Sequence, residues 1–322
     1  MSKRTRAVLA VAAVAAVAAA SACSSSSTPP SASSTTSSSS ASSGSNPLAP
    51  SGGSGSVVVG SANFPENELL AEVYALALQA KGVKVTTKLN IGAREVYYPQ
   101  IEKGAIDIIP EYDGTLLSVE VNAKSTASTT AEVDAALKSG LPSSLVILNP
   151  ASAQDSDSVT VTQATASKDH LKTIADLAPY AKNMVFGGPP EFQTRPDGIP
   201  GLKSHYGLTF KGFDQLDESG PITLAGLTSG KVQAADVFTT TPQIVTDHLV
   251  SLADPKFNFA AQNVIPLVYK PSLTPTITSV LNAISAKLTT QALLQMDTAV
   301  ITDKQNYSTV AEGFLKAEGL IS

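Results

Sequence analysis

The side chains able to do chemistry fall just beyond stretches that read as strands. Asn63 and Phe64 follow the apolar run Val57-Val58-Val59, and Glu111, Tyr112 and Thr115 follow Ile106-Asp107-Ile108-Ile109. In open α/β sheets, ligands sit outside the carboxyl ends of the strands. An amide, a carboxylate, a hydroxyl and two rings are thus placed to touch a small molecule. Thr239, after Ala234–Phe238, is a candidate of the same kind, and Tyr112 fits packing against the following helix equally well. This chemistry is binding rather than bond-making. The three histidines, His170, His205 and His248, share no metal-ligand spacing, no Gly-x-Ser-x-Gly elbow or phosphate loop is present, and Cys23 is the only cysteine. The chain is therefore read as a non-enzyme with no cofactor and no metal.

The elements that must position these residues alternate. Strands are predicted at Val57–Val59, Val83–Leu89, Ile106–Ile109 and Leu145–Leu148. Helices are predicted at Glu66–Lys81, at Ala93–Lys103 with a kink or break at Pro99, at Thr115–Val119 and at Ala131–Ser139. A polar, turn-rich stretch, 149–158, marks a crossing. A second set follows: strands Val159–Thr162, Met184–Gly187, Leu208–Lys211 and Ala234–Phe238, with helices Thr173–Leu177, Ile199–Tyr206 and Ile222–Thr228. A strand over Ala261–Val268 and helices at Pro275–Lys287, Thr290–Thr302 and Ser308–Gly319 complete the chain. Two successive α/β groups predict two domains rather than one continuous sheet.

The first residues read as a secretory signal over 1–22. Lys3, Arg4 and Arg6 precede the apolar run Ala7–Ala20, and Ala20-Ser21-Ala22-Cys23 has the small-residue-then-cysteine order of a bacterial lipoprotein cleavage site. Ala20 stands where leucine is usual. Residues 23–56 are almost entirely Ser, Thr, Pro, Gly, Ala and Asn, too polar to bury a core, and read as a disordered tether. The whole chain has 22 basic and 27 acidic residues, and losing the three basic residues of the signal makes the remainder more acidic still. Nucleic-acid binding wants the opposite balance.

The stretches GSANFPENELLAEVYALALQAKG, EVYYP and IDIIPEYDGT together resemble the glycine betaine/carnitine/choline-binding proteins of osmoprotectant ABC transporters, from about Val57 to the C-terminus. The resemblance implies a two-lobed α/β fold of the type II periplasmic-binding-protein kind, crossed twice, with the ligand in the cleft between the lobes. Lobe 1 is expected at 57–156 plus 263–322, and lobe 2 at 157–262. It also implies that Tyr98 forms part of an aromatic cage around a quaternary ammonium, since a ring face attracts a cation; packing beside Tyr97 is the alternative. Arg195, in EFQTRPDG, matches the arginine that binds the ligand carboxylate, to which a guanidinium fork is suited; a surface salt bridge, for example with Asp197, is the alternative. The family's first-loop lysine matches Ala62, and its three other cage tyrosines match Asp157, Phe238 and Gln262 beside Asn263. Asp157 would pair with a cation or accept from hydroxyls, or else serve a turn.

The resemblance thus implies a lipid-anchored, monomeric, extracytoplasmic solute receptor for an ABC permease, held at the cell membrane only through Cys23. Its thinned cage points away from glycine betaine, toward a polar or aromatic polyhydroxyl ligand. A ligand-sensing lipoprotein is the alternative, and a hydrolase finds little support. Cys23→Ala is expected to abolish processing and release the protein from the membrane fraction; unchanged fractionation would refute the lipid anchor.

Overall fold

A computed structural model describes residues 56–322; the expected signal, Cys23 and nearly all of the tether lie outside them. The valine run forms β1 (Val57–Gly60), and Pro65, which needs no N–H in a first turn, opens α1 (Pro65–Ala80). Then come β2 (Val85–Lys88), α2 (Arg94–Glu102), β3 (Ile108–Tyr112) and α3 (Asp113–Leu116), which runs on as a π-helical turn over Leu117–Val121. Thr129 and Glu132 cap α4 (Thr130–Gly140) reciprocally, and β4 (Leu145–Ile147) follows. Pro99 does not interrupt α2.

A second group contains β5 (Val159–Thr162), α5 (Gln163–Asp169), β6 (Val185–Gly188), α6 (Ile199–Tyr206), β7 (Gly212–Gln215), α7 (Pro221–Thr228), β8 (Ala234–Asp236), α8 (Gln243–Thr246) and β9 (Leu249–Ser251). The chain then returns through β10 (Val264–Tyr269) to α9 (Pro275–Ser285), α10 (Thr290–Asp297) and α11 (Tyr307–Ala317). The strand expected at Leu208–Lys211 forms instead at Gly212–Gln215. Gly207 ends α6 at φ 70°, and Leu208 N–H bonds back to the Leu202 carbonyl. That closure turns buried Leu208 into the core as a helix-end contact, so its apolar side chain does not mark a strand. β9 and α5 lacked a sequence pattern long enough to show.

Two mixed five-stranded sheets result, in the orders β2-β1-β3-β10-β4 and β7-β6-β8-β5-β9. β10 runs antiparallel between β3 and β4, with Val264 opposite Tyr112 and Val268 opposite Ile108. α9, α10 and α11 pack with α1 on one face of this first sheet, and α2 and α4 contribute to the core on the other. The two crossing segments lie side by side: Gln154 bridges Asn263, and Asp155 N–H donates to the Gln262 carbonyl at 3.1 Å. Together these make a two-lobed α/β molecule.

Gly114 shows how tightly the return segment is seated. A Cβ there would sit 2.3 Å from the Ala261 carbonyl oxygen. Gly114→Ala is expected to destabilise the protein by roughly 1–3 kcal/mol. Gly313, exposed on α11 with nothing near its Cβ position, should gain ~0.5–1 kcal/mol as alanine. Urea denaturation of both variants measures the contrast.

Candidate functional site

A small cavity of about 40 Å³ lies between the lobes, with the lobes close together around it. Its walls come from five places. The loop after β1 supplies Ala62 and Phe64, pinned by Asn67, whose Oδ1 accepts the Ala62 N–H at 2.8 Å and whose Nδ2 donates to the Pro110 carbonyl at 3.0 Å. α2 supplies Arg94 and Tyr97. The end of β3 and the start of α3 supply Tyr112 and Thr115, and the crossings supply Asp155, Asp157 and Gln262. The second lobe supplies Arg195, Glu218 and Phe238.

Four rings therefore border the cavity. Phe64 and Phe238 meet edge to face across the cleft at 5.1 Å between centroids, and Phe64 lies 5.9 Å from Tyr112. Tyr97 is the fourth. Position matching had left one cage tyrosine, Tyr98, and one phenylalanine. Tyr98 is buried behind the wall, outside the cavity, with no hydrogen-bond partner for its hydroxyl among the described residues. Arg94 and Tyr97 stand three residues apart on one helical face, and that spacing was the available sequence signal.

Glu111 does not line the cavity but holds its wall. Fully buried, it accepts from Arg94 Nε at 3.0 Å and Nη2 at 2.9 Å, from the Tyr97 hydroxyl at 2.6 Å and from the Tyr112 N–H at 2.9 Å. Arg195 reaches across the cleft, where Nε and Nη2 donate to the two Glu95 oxygens at 3.0 and 2.9 Å. Its partner is thus Glu95, not Asp197. Thr115 and Gln262 bond each other twice, N–H to Oε1 at 3.0 Å and Nε2 to Oγ1 at 2.6 Å.

The other expected residues lie off the cavity. Asn263 binds the Asp113 carboxylate, the Ala151 carbonyl and the Thr130 hydroxyl, so all its polar groups serve the crossing. Thr239 donates to Asp155 and accepts the Ser156 N–H. Asn63 is exposed and borders a wider neighbouring groove. The sequence reading missed Arg94, Tyr97, Asp155 and Glu218. The last two sit in loops with no periodicity to single them out.

The carboxyl groups around the cavity hold protons tightly. Burial first, then the Asp197 charge, pushes Asp157 up to about 6 against the opposing pull of Arg195 and Arg94. Burial also raises Glu218 to about 7 and puts Asp236, beside Asp157, well above the usual range. Behind Tyr112 lies a buried acid group. The Tyr112 hydroxyl donates to Glu66 Oε1 at 2.5 Å and the Thr240 hydroxyl to Oε2 at 2.6 Å. Asp297 lies beside Glu66, and neither of its carboxyl oxygens has a hydrogen-bond partner among the described residues. Among the described residues no cluster of His, Cys, Asp and Glu fits a metal.

Asp297 is raised from its ordinary 3.8 to about 8 by burial first, with the Asp155 charge adding and the nearby Glu66 and Thr240 opposing. The folded protein thus keeps a proton that the unfolded chain releases above pH 3.8. The resulting stability is full below that pH and is lost as pH rises through the folded value. The other raised carboxyls act in the same direction. The urea midpoint is expected to fall between about pH 5 and about pH 8, and Asp297→Asn should flatten that fall by at least ~1 kcal/mol.

The model of the substrate binding domain of ABC-type glycine betaine transport systems matches residues 55–317. The glycine betaine-binding protein YehZ of Escherichia coli is 27% identical over 277 residues, covering 82% of this chain and 90% of that one. The ergothioneine transport permease/ergothioneine binding protein EgtU of Helicobacter pylori is 24% identical over 269 residues, covering 82% of this chain but only 48% of that longer protein. The crystal structure of a glycine betaine/carnitine/choline ABC transporter protein superposes with a TM-score of 0.63 at 21% identity, over 83% of this chain and 100% of that one. This last likeness is one of fold.

Proposed function

The chain belongs to the family of substrate-binding domains of ABC-type glycine betaine transport systems, which are binding proteins and not enzymes, and on that premise we propose that it captures a small cationic amine solute between its lobes and delivers it to an ABC permease. Lobe 1 comprises 57–156 with 263–322, lobe 2 comprises 157–262, and closure swings about the paired crossings. The protein is a monomer held outside the cytoplasm by a lipid on Cys23, and the membrane touches it only there.

The observation that carries this reading is the ring enclosure. Phe64 and Tyr112 come from one lobe and Phe238 from the other, with Tyr97 beside them. A desolvated ring face holds a cation by ~0.5–2 kcal/mol, and several rings act together. Asp157 and Glu218 add carboxyl groups that a cation would draw into the charged form. Thr115 and Gln262 offer hydrogen bonds to the rest of the solute.

The ligand differs from glycine betaine in its other end. Ala62 stands where the family places a lysine, and the cavity's two arginines are both engaged by protein carboxylates. A hydroxyl, an amine or a flat polar ring suits the remaining wall better than a carboxylate. The relatives' names, one a glycine betaine binder and one an ergothioneine binder, support variation at this end.

A thermal-shift screen across choline, carnitine, glycine betaine, ergothioneine and polyols, followed by calorimetry, tests the reading. Hydroxylated or ring-bearing amines should stabilise the protein more than glycine betaine does. Tyr97→Ala should weaken the bound solute by about 2- to 30-fold, the equivalent of one lost ring face. Tyr98→Ala should act mainly on stability. Micromolar glycine betaine binding would overturn the ligand assignment.

A further inference from the structure

Two guanidinium groups border the cavity, and neither is free. Arg94 gives Nε and Nη2 to Glu111, which is fully buried and held by four donors. That pair is part of the wall and cannot open without unpairing a buried charge. Arg195 gives its own Nε and Nη2 to Glu95 in the same fork-to-fork geometry. Glu95 differs from Glu111 in one respect: it is 42% exposed, while Arg195 is only 11% exposed. It stands in water at the rim of α2 and reaches in.

We propose that Glu95 is a specificity-determining residue: its carboxylate occupies the Arg195 seat that a ligand carboxylate would take, and so selects against carboxylate-bearing solutes. This deepens the amine-solute reading above and rests on it. The Nε–Nη2 edge of a guanidinium holds one carboxylate in this bidentate fashion. A zwitterionic solute that takes this edge must displace Glu95 and leave it unpaired beside its own negative end. A cation with a hydroxyl in place of the carboxylate meets no such competition. It can be enclosed with the Arg195–Glu95 pair intact, and that pair joins the lobes as a bound carboxylate otherwise would.

The charged state of Glu95 agrees with this. Burial raises its carboxyl, but the hydrogen bond and charge of Arg195, helped by Arg94, outweigh burial and hold it below its ordinary value. It is a carboxylate throughout the neutral range. The charged and titratable groups around Arg195 include Glu95, Arg94, Asp157, Glu218 and Asp236. Glu95 alone among them bonds both nitrogens of the fork.

Choline and glycine betaine share a trimethylammonium head and differ in hydroxymethyl against carboxylate, so their affinity ratio reads the seat directly. Calorimetry is done on wild type, Glu95→Gln, Arg195→Ala and the double variant, each checked for folding by circular dichroism and melting. Glu95→Gln is expected to raise the glycine betaine-to-choline affinity ratio by about tenfold or more, which is ~1.4 kcal/mol of preference. In the Arg195→Ala background the same change should leave the ratio unmoved. Three results overturn the inference: an unchanged ratio in Glu95→Gln, equal losses for both solutes, or a gain that persists without Arg195. If folded wild type binds neither solute and Glu95→Gln does not gain glycine betaine binding, the amine-solute reading falls with it; if wild type binds choline and the ratio stays put, only the role of Glu95 falls.

Discussion

One buried carboxylate sets the site. Glu111 has no exposed surface, and an unpaired carboxylate there would cost several kcal/mol. It is tolerated because an arginine fork, a tyrosine hydroxyl and a backbone N–H converge on it. Two of those donors lie on α2 and the third follows directly on β3. The requirement to satisfy this charge therefore fixes how α2 lies on the sheet. It turns Arg94 and Tyr97 toward the cleft and, by the helical repeat, turns Tyr98 into the packing behind. Once α2 is so placed, Glu95 projects from the cleft rim, where Arg195 of the other lobe finds it.

The contacts that join the lobes are mostly polar. Arg195 pairs with Glu95, the Ser118 hydroxyl donates to Asp197 at 2.6 Å, and the Thr240 hydroxyl donates to Glu66. Among the described residues, only Phe64 against Phe238 is a ring contact across the cleft. Exchangeable polar contacts suit a cleft that must open, because water can replace each partner at small net cost. A continuous apolar seam would hold it shut. The acids beneath the cavity, Glu66, Asp155 and Asp297, are handled differently: crowded and dry, they keep protons instead of separating charge.

Much of the fold was legible because its signals are local. The valine run, Pro65 at a helix start and the alternation of strands with helices follow from short-range rules. The reading failed where a pattern served another purpose. Leu208 and Phe210 looked like strand residues, yet they anchor the end of α6 in the core. At the site, Phe64, Tyr112, Thr115, Asp157, Arg195, Phe238 and Gln262 were legible and do line the cavity. Tyr98 was chosen over Tyr97 because position matching cannot see which face of a helix a buried charge selects. Asn263 and Thr239 are polar and close by, but the crossings consume their hydrogen bonds. Glu218 became a wall residue only through tertiary placement.

The aromatic and electrostatic halves of the cavity make different demands on a solute. Rings reward a cation whatever its other end, since their attraction comes from the quadrupole and needs no particular donor. Arginine forks reward only a group that can accept two parallel N–H bonds. Here the rings line the cavity wall, and both arginines give their Nε and Nη2 to protein carboxylates. On the amine-solute reading proposed above, such a cavity recognises the cationic end directly and judges the other end by what it must displace. On that same reading, the choice among amine solutes rests on carboxylates such as Glu95, which the protein supplies to itself.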